Sequence, residues 1–168
     1  MLNTMLICAT MTFAPNFEPM PVSCEVASNT VVELTRELPF AVACKESPEE
    51  AVAWANDHLV QWFGGRPGWL ERLFGTPNVP KAKGAAYAGA ATGPEGYEVT
   101  AAPEGVAIRA DTLQGVRYAL YTLRHVTMAA RGGMTTDHYI MPGIKVKDAP
   151  KLAFRGIHLP WGLEKDVT

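Results

Sequence analysis

Apolar residues recur at helical spacing in two stretches of the chain, and short runs of extended character flank both. After Ser47, residues Val52, Ala55, Leu59, Trp62 and Phe63 follow the three-and-four rhythm of one helix face. Ser47 is a capping residue, Pro48 suits the first turn, and Glu50 completes a capping box. Gly64-Gly65 ends this helix. The second stretch opens at Asp111-Thr112, with Asp111 as its cap. Val116, Leu120, Leu123 and Val126 or Thr127 form its stripe, and Arg131-Gly132-Gly133 stops it.

The runs between these helices predict strands. Val31-Val32-Glu33-Leu34 and Phe40-Ala41-Val42-Ala43 are β-prone and lie near turn formers. Tyr97-Glu98-Val99-Thr100 and Val106-Ala107-Ile108-Arg109 flank Pro103-Glu104-Gly105, which is the clearest hairpin in the chain. His138–Met141 and Ile144–Val146 predict two further extended segments before a turn at Asp148-Ala149-Pro150. Between Gly64 and Thr92 the pattern weakens. Trp69–Phe74 suits a helical turn or two, and the remainder reads as a long, mobile connection rich in Gly, Pro and Ala. The order predicts an α+β fold: a mixed or mostly antiparallel sheet with two helices packed on one face.

The last run, Leu152 to Leu159, is again β-prone, and a lone strand cannot satisfy its own backbone groups. We expect it to begin a larger domain that is cut off here. Residues 1–15 then form an N-terminal lead, 16–150 the α+β domain, and 151–168 the start of that next domain. The apolar stretch Leu2–Phe13 is too short to span a bilayer, and neither a basic opening nor a clear cleavage site marks it as a signal peptide. Export or a periplasmic location is left open.

Composition changes this picture little. A length of 168 residues suffices for one domain with a real core. A net charge of -2 gives no electrostatic case for nucleic acid or an anionic membrane as partner. Cys8, Cys24 and Cys44 are widely spaced without a CxxC pair, which argues against zinc and for buried thiols, or for one disulfide and a spare thiol in an exported chain. His58, His125, His138 and His158 show no metal-ligand spacing, so no metal or other cofactor is expected. There is no nucleophile elbow, Walker loop or dinucleotide fingerprint. Trp54, Trp62, Trp69, Tyr87 and Tyr97 are candidates for a sugar-stacking surface, although Trp62 lies on the apolar stripe of its helix and Tyr97 in the hairpin.

Several runs, in order, resemble one known family. They are Gly96-Tyr97-Glu98-Val99, then Gly105 to Ala110 (GVAIRA), then Gly115 to Leu123 (GVRYALYTL). Ile144 to Pro150 (IKVKDAP) and Phe154-Arg155-Gly156 follow, and Pro19-Met20-Pro21 matches the opening. The set is similar to the accessory domain preceding the catalytic barrel of family 20 glycoside hydrolases, the β-N-acetylhexosaminidases. Related accessory domains occur in the α-glucuronidases. The chain departs from the family at Ala119, usually Gly, at Tyr121, usually Gln, and at Pro160-Trp161, where Asp commonly follows.

The resemblance implies a non-catalytic domain that packs against its own barrel and stabilises it. It implies that Arg155 binds sugar hydroxyls once the barrel is complete, as the donor fork of a guanidinium would. The Asp-Glu pair that assists hydrolysis in this family belongs to the barrel, and no adjacent Asp-Glu occurs in this chain. The rival expectation is a free-standing carbohydrate-binding or interaction module.

Overall fold

The structure, a computed structural model, describes residues 21–63, 79–89, 92–130 and 139–149. Within them the chain runs β1 (Ser23–Glu33), β2 (Phe40–Cys44), α1 (Pro48–Phe63), β3 (Ala82–Gly84), β4 (Tyr97–Ala102), β5 (Gly105–Ala110), α2 (Leu113–Ala130) and β6 (Ile140–Asp148). The strands form one six-stranded sheet in the order β1-β6-β4-β5-β2-β3. The pairs β1–β6, β6–β4 and β4–β5 are antiparallel, whereas β5–β2 and β2–β3 are parallel. This is the expected α+β fold with a mixed sheet, and both helices lie against it.

Alternation along the strands decides which face is covered. Val99 and Ala101, Val106 and Ile108, Phe40 and Val42, and Ile144 and Val146 point to one face and are buried under the helices. Helix α1 contributes Ala51, Ala55, Leu59 and Phe63 to this core, and α2 contributes Val116, Ala119, Leu120, Leu123 and Val126. Burying a side chain of leucine size stabilises the fold by about 2 kcal/mol. The alanines let the helix axes approach the sheet and each other. Val52 and Trp62, read from sequence as part of the α1 stripe, sit at its half-buried margins.

Three elements differ from the sequence reading. Strand β1 starts at Ser23, well before Val31, and a register shift between Ala27 and Val31 breaks its pairing with β6. His138–Met141 and Ile144–Val146 do not form two segments: Ile140–Asp148 is continuous through Pro142 and Gly143. Proline is tolerated there because β4 pairs with β6 only from Ile144 onward, so Pro142 owes no hydrogen bond to β4. Gly143 faces the shifted part of β1, where a Cβ would lie 3.1 Å from Thr30.

The third difference lies within 64–92, read as a connection. Ala82–Gly84 instead pairs in parallel with β2 at the sheet edge. A three-residue strand carries no legible alternation, and a side chain holds it in place. Asn56 of α1 accepts from the Ala82 N–H at 2.9 Å and donates to the Ala82 carbonyl at 3.3 Å, as a neighbouring strand would. Replacing Asn56 with Ala strands two backbone groups of a buried residue and should cost about 1–3 kcal/mol. The check is amide exchange, which should accelerate at residues 82–84 and stay unchanged in β4.

The hairpin forms as read, with Pro103-Glu104 as its two-residue tip. Gly105 opens β5 at φ +152°, and a Cβ there would lie 2.7 Å from the Pro39 carbonyl oxygen. That carbonyl accepts the Val106 N–H at 2.8 Å, so the close approach also sets the pairing of β5 with β2. The glycine is required by a backbone contact.

Candidate functional site

Among the described residues, three side-chain assemblies lie outside the core. The first runs along the outer faces of the helices. Trp54, His58 and Trp62 are four residues apart on α1 and form one ridge. His58 Nδ1 lies 2.8 Å from the Trp54 carbonyl oxygen, which can only accept, so Nδ1 carries the proton. The His58 ring meets Trp62 edge-on at 4.6 Å between centroids. Trp62 then meets Tyr121 of α2 at 5.2 Å with the rings tilted by 31°. Arg124 stands 5.0 Å over the Trp62 ring and Arg117 5.7 Å over Tyr121. Tyr121 is 40% exposed, and the other aromatic rings are half-buried. The result is a cation-flanked aromatic patch spanning the two helices.

The second assembly is a polar junction between β5 and α2. Asp111, expected to cap α2, does not. Thr112 takes that role, its Oγ1 accepting from the Gly115 N–H at 3.3 Å, while Glu46 accepts from the Leu113 N–H at 3.3 Å. Asp111 turns the other way. Its carboxylate accepts from the Tyr87 hydroxyl and from the Thr92 and Gly93 N–H groups, both at 2.8 Å. The Tyr87 hydrogen bond, with help from the two backbone donors and Lys45, holds its carboxyl below the usual range. By residue type Asp is the better cap of the two, and the tertiary partners of its carboxylate reverse that order.

The third assembly lies on the uncovered sheet face, where the register aligns Lys147, Glu98 and Arg109 on adjacent strands. Glu98 pairs with Arg109 and, at 3.0 Å, with Lys147. Lys145 and Lys83 are exposed. Such ion pairs solvate a face and contribute little stability, about 0–1 kcal/mol each.

Tyr97 is not part of any open surface. It is buried, and its hydroxyl meets Thr122 Oγ1 under α2. Burial, reinforced by the Asp148 charge, pushes its pKa up to about 12. A raised value means that the folded state holds the proton longer than the unfolded chain. Its contribution is therefore complete below about pH 10 and lost as pH rises toward 12, roughly 2–3 kcal/mol in all. Alkaline melts should show this decline, and Tyr97→Phe should flatten it.

Of the remaining sequence candidates, Arg155, Trp69, His138 and His158 lie outside the described residues. His125 is exposed on α2. Among the described residues no group of three or more His, Cys, Asp or Glu side chains is placed to hold a metal. No helix there is long and apolar enough to cross a membrane. The sequence marked Tyr121 only as a departure from the family pattern and Asp111 only as a helix cap, and placed neither in an assembly with other side chains. The signal for Tyr121 was its place on α2 one residue from the buried stripe and level with Trp62.

Comparison with known protein families matches residues 14–149 to glycosyl hydrolase family 20, domain 2. No curated protein matches. Among solved structures, the N-acetyl-beta-hexosaminidase of Streptomyces plicatus, solved with Thio-NAglucal, superposes with a TM-score of 0.57 at 21% identity; 82% of this chain and 26% of that one are covered. The GH20 exo beta-N-acetylglucosaminidase of Vibrio harveyi, in complex with N-acetylglucosamine, gives 0.54 at 16% identity, covering 82% of this chain and 19% of that one. The chitobiase of Flavobacterium johnsoniae gives 0.55 at 16% identity, covering 84% and 22%. At such identities the likeness is one of fold, and the chain spans about a quarter or less of these proteins' length. The match over 14–149 covers most of the chain, which therefore belongs to glycosyl hydrolase family 20, domain 2, the non-catalytic second domain of those enzymes.

Proposed function

We propose that this domain serves a β-N-acetylhexosaminidase-like glycosidase by packing the outer face of its helices against the catalytic barrel of the same polypeptide and stabilising it. The observation that carries this reading is the contrast between the two outer surfaces. The helix side presents Trp54, Trp62 and Tyr121 with Arg117 and Arg124, the residue types that anchor interfaces. The sheet side presents paired charges and lysines, whose desolvation is costly. In this reading 1–15 is a lead, 16–150 the accessory domain, and 151–168 begins the barrel, where Arg155 would reach the sugar.

The glycan-binding alternative is less well supported. Trp62 and Tyr121 pack on each other and lie under guanidinium groups, which leaves little free ring face for a sugar. The chemistry belongs to the barrel. The isolated chain should not hydrolyse chromogenic N-acetylglucosaminides, and a protein that includes the barrel should. Turnover that co-purifies with the isolated chain and is missing from a mock preparation overturns the proposal.

A further inference from the structure

The charges on the helix layer are divided between the two helices. Over its 16 residues α1 carries Glu49, Glu50 and Asp57 and neither Lys nor Arg. Over its 18 residues α2 carries Arg117, Arg124 and His125 and neither Asp nor Glu. Two of the α1 acids have a local reason: Glu49 and Glu50 lie in its first turn, where the helix dipole favours negative charge. The arginines of α2 have none. Neither lies in the last turn, where the dipole would favour it, and α2 offers no carboxylate three or four residues away. Among the described residues no ion pair reaches either guanidinium.

Both guanidinium groups are nevertheless held. Arg124 stands over Trp62, and Arg117 over Tyr121, whose hydroxyl oxygen accepts from Arg117 at 3.5 Å. Stacking on a ring occupies the face of a guanidinium and leaves in-plane N–H donors for a carboxylate. Arg117, Tyr121 and Arg124 are spaced by four and three residues, so they share one face of α2. The two cations are two turns apart, about 10 Å along the axis. Arg117 is exposed and Arg124 half-buried.

On the reading that the helix side faces the barrel, we propose that this stripe of α2 sets the orientation of docking, and that the barrel surface it meets carries carboxylates, one taken by Arg117 and one by Arg124. In the solved relatives most of the polypeptide lies outside the matched part, and that remainder is the occupant proposed here. The aromatic rings supply apolar contact, whatever the rotation of the partner. The division of charge supplies direction. A surface bearing Asp or Glu is attracted by α2 and repelled by the acids of α1, so one placement over the helix pair is favoured and its reverse is penalised.

Titration calorimetry of this chain against a separately produced catalytic portion, at about 50 mM and about 500 mM NaCl, tests it. Wild-type affinity should fall about ten-fold between the two. Arg117→Gln with Arg124→Gln should weaken binding about ten-fold at low salt and flatten the salt dependence. Arg117→Glu with Arg124→Glu should make binding tighten as salt rises, because screening then relieves repulsion. Lys83→Gln with Lys145→Gln, on the sheet side, should change neither quantity. Trp62→Ala with Tyr121→Ala reports on the docking reading itself. If that variant weakens binding while wild-type affinity ignores salt, or while the Gln pair binds like wild type, the helix side still docks and the acidic partner surface is refuted. If the wild-type chain does not bind, or the aromatic and arginine variants all bind as it does, the docking reading falls as well. Salt dependence that is lost with the lysines overturns the proposal too. So does a Gln pair that no longer folds, since the guanidinium groups then serve the packing of α1 on α2.

Discussion

Gly115→Ala should destabilise the domain by about 2 kcal/mol, a fall in melting temperature of roughly 6 °C, even though it adds a better helix former to a helix. Gly115 is in the first turn of α2, and a Cβ there would lie 2.4 Å from the Gly96 carbonyl oxygen and 2.9 Å from the Ala110 Cβ. The gain in helix propensity is at most about 1 kcal/mol. The overlap is with backbone, which cannot swing aside as a flexible side chain can. Relief requires the whole first turn to lift from the start of β4, and overpacking of that kind costs about 1–3 kcal/mol before larger side chains are considered. Gly84→Ala is the matched control, because its Cβ would meet only Val52 at 3.6 Å, an ordinary contact. Thermal melts of the two variants should separate clearly. Equal melting temperatures would show that the close approach of α2 to Gly96 is not a constraint.

The second large effect is on association. Replacing Trp62 and Tyr121 together with Ala should weaken binding between this domain and a separately produced catalytic portion by about 30-fold or more, the loss expected from truncating interface hot spots worth 2 kcal/mol. The fold itself should survive. Tyr121 is 40% exposed and Trp62 sits at the margin of the core, so the melting temperature of the isolated domain should move far less than with Gly115→Ala. Titration calorimetry on the wild-type and double-variant domains separates the two quantities. Binding unchanged by the double substitution would take the aromatic patch out of the interface.

Much of this architecture was legible because periodicity was strong where burial was strong. The stripes Ala55–Leu59–Phe63 and Val116–Leu120–Leu123 became the buried faces of α1 and α2. The hairpin kept its alternation because β4 and β5 are central and covered on one side only. Strand β3 was illegible for the opposite reason: three residues, two of them exposed, are held by the Asn56 amide across 26 residues of sequence. Strand β6 read as two pieces because Pro142-Gly143 normally interrupts a strand, and only the neighbouring register explains why it does not here. At the candidate site, Trp62 announced itself as a helix-margin aromatic. Tyr121 mattered only once α2 was seen beside α1. Asp111 was taken for a cap because a capping residue and a tertiary hub look alike until the Tyr87 and Thr92 partners are placed.

Whether the helix side faces the barrel can be read by side-chain footprinting of this domain alone and of the same domain joined to a catalytic portion. Hydroxyl-radical oxidation reads Trp54, Trp62 and Tyr121 on the helix side, and amine acetylation reads Lys83, Lys145 and Lys147 on the sheet side. The three aromatic residues should lose reactivity when the catalytic portion is present while the lysines react as before. Protected lysines beside unchanged aromatics would place the barrel on the sheet and contradict it.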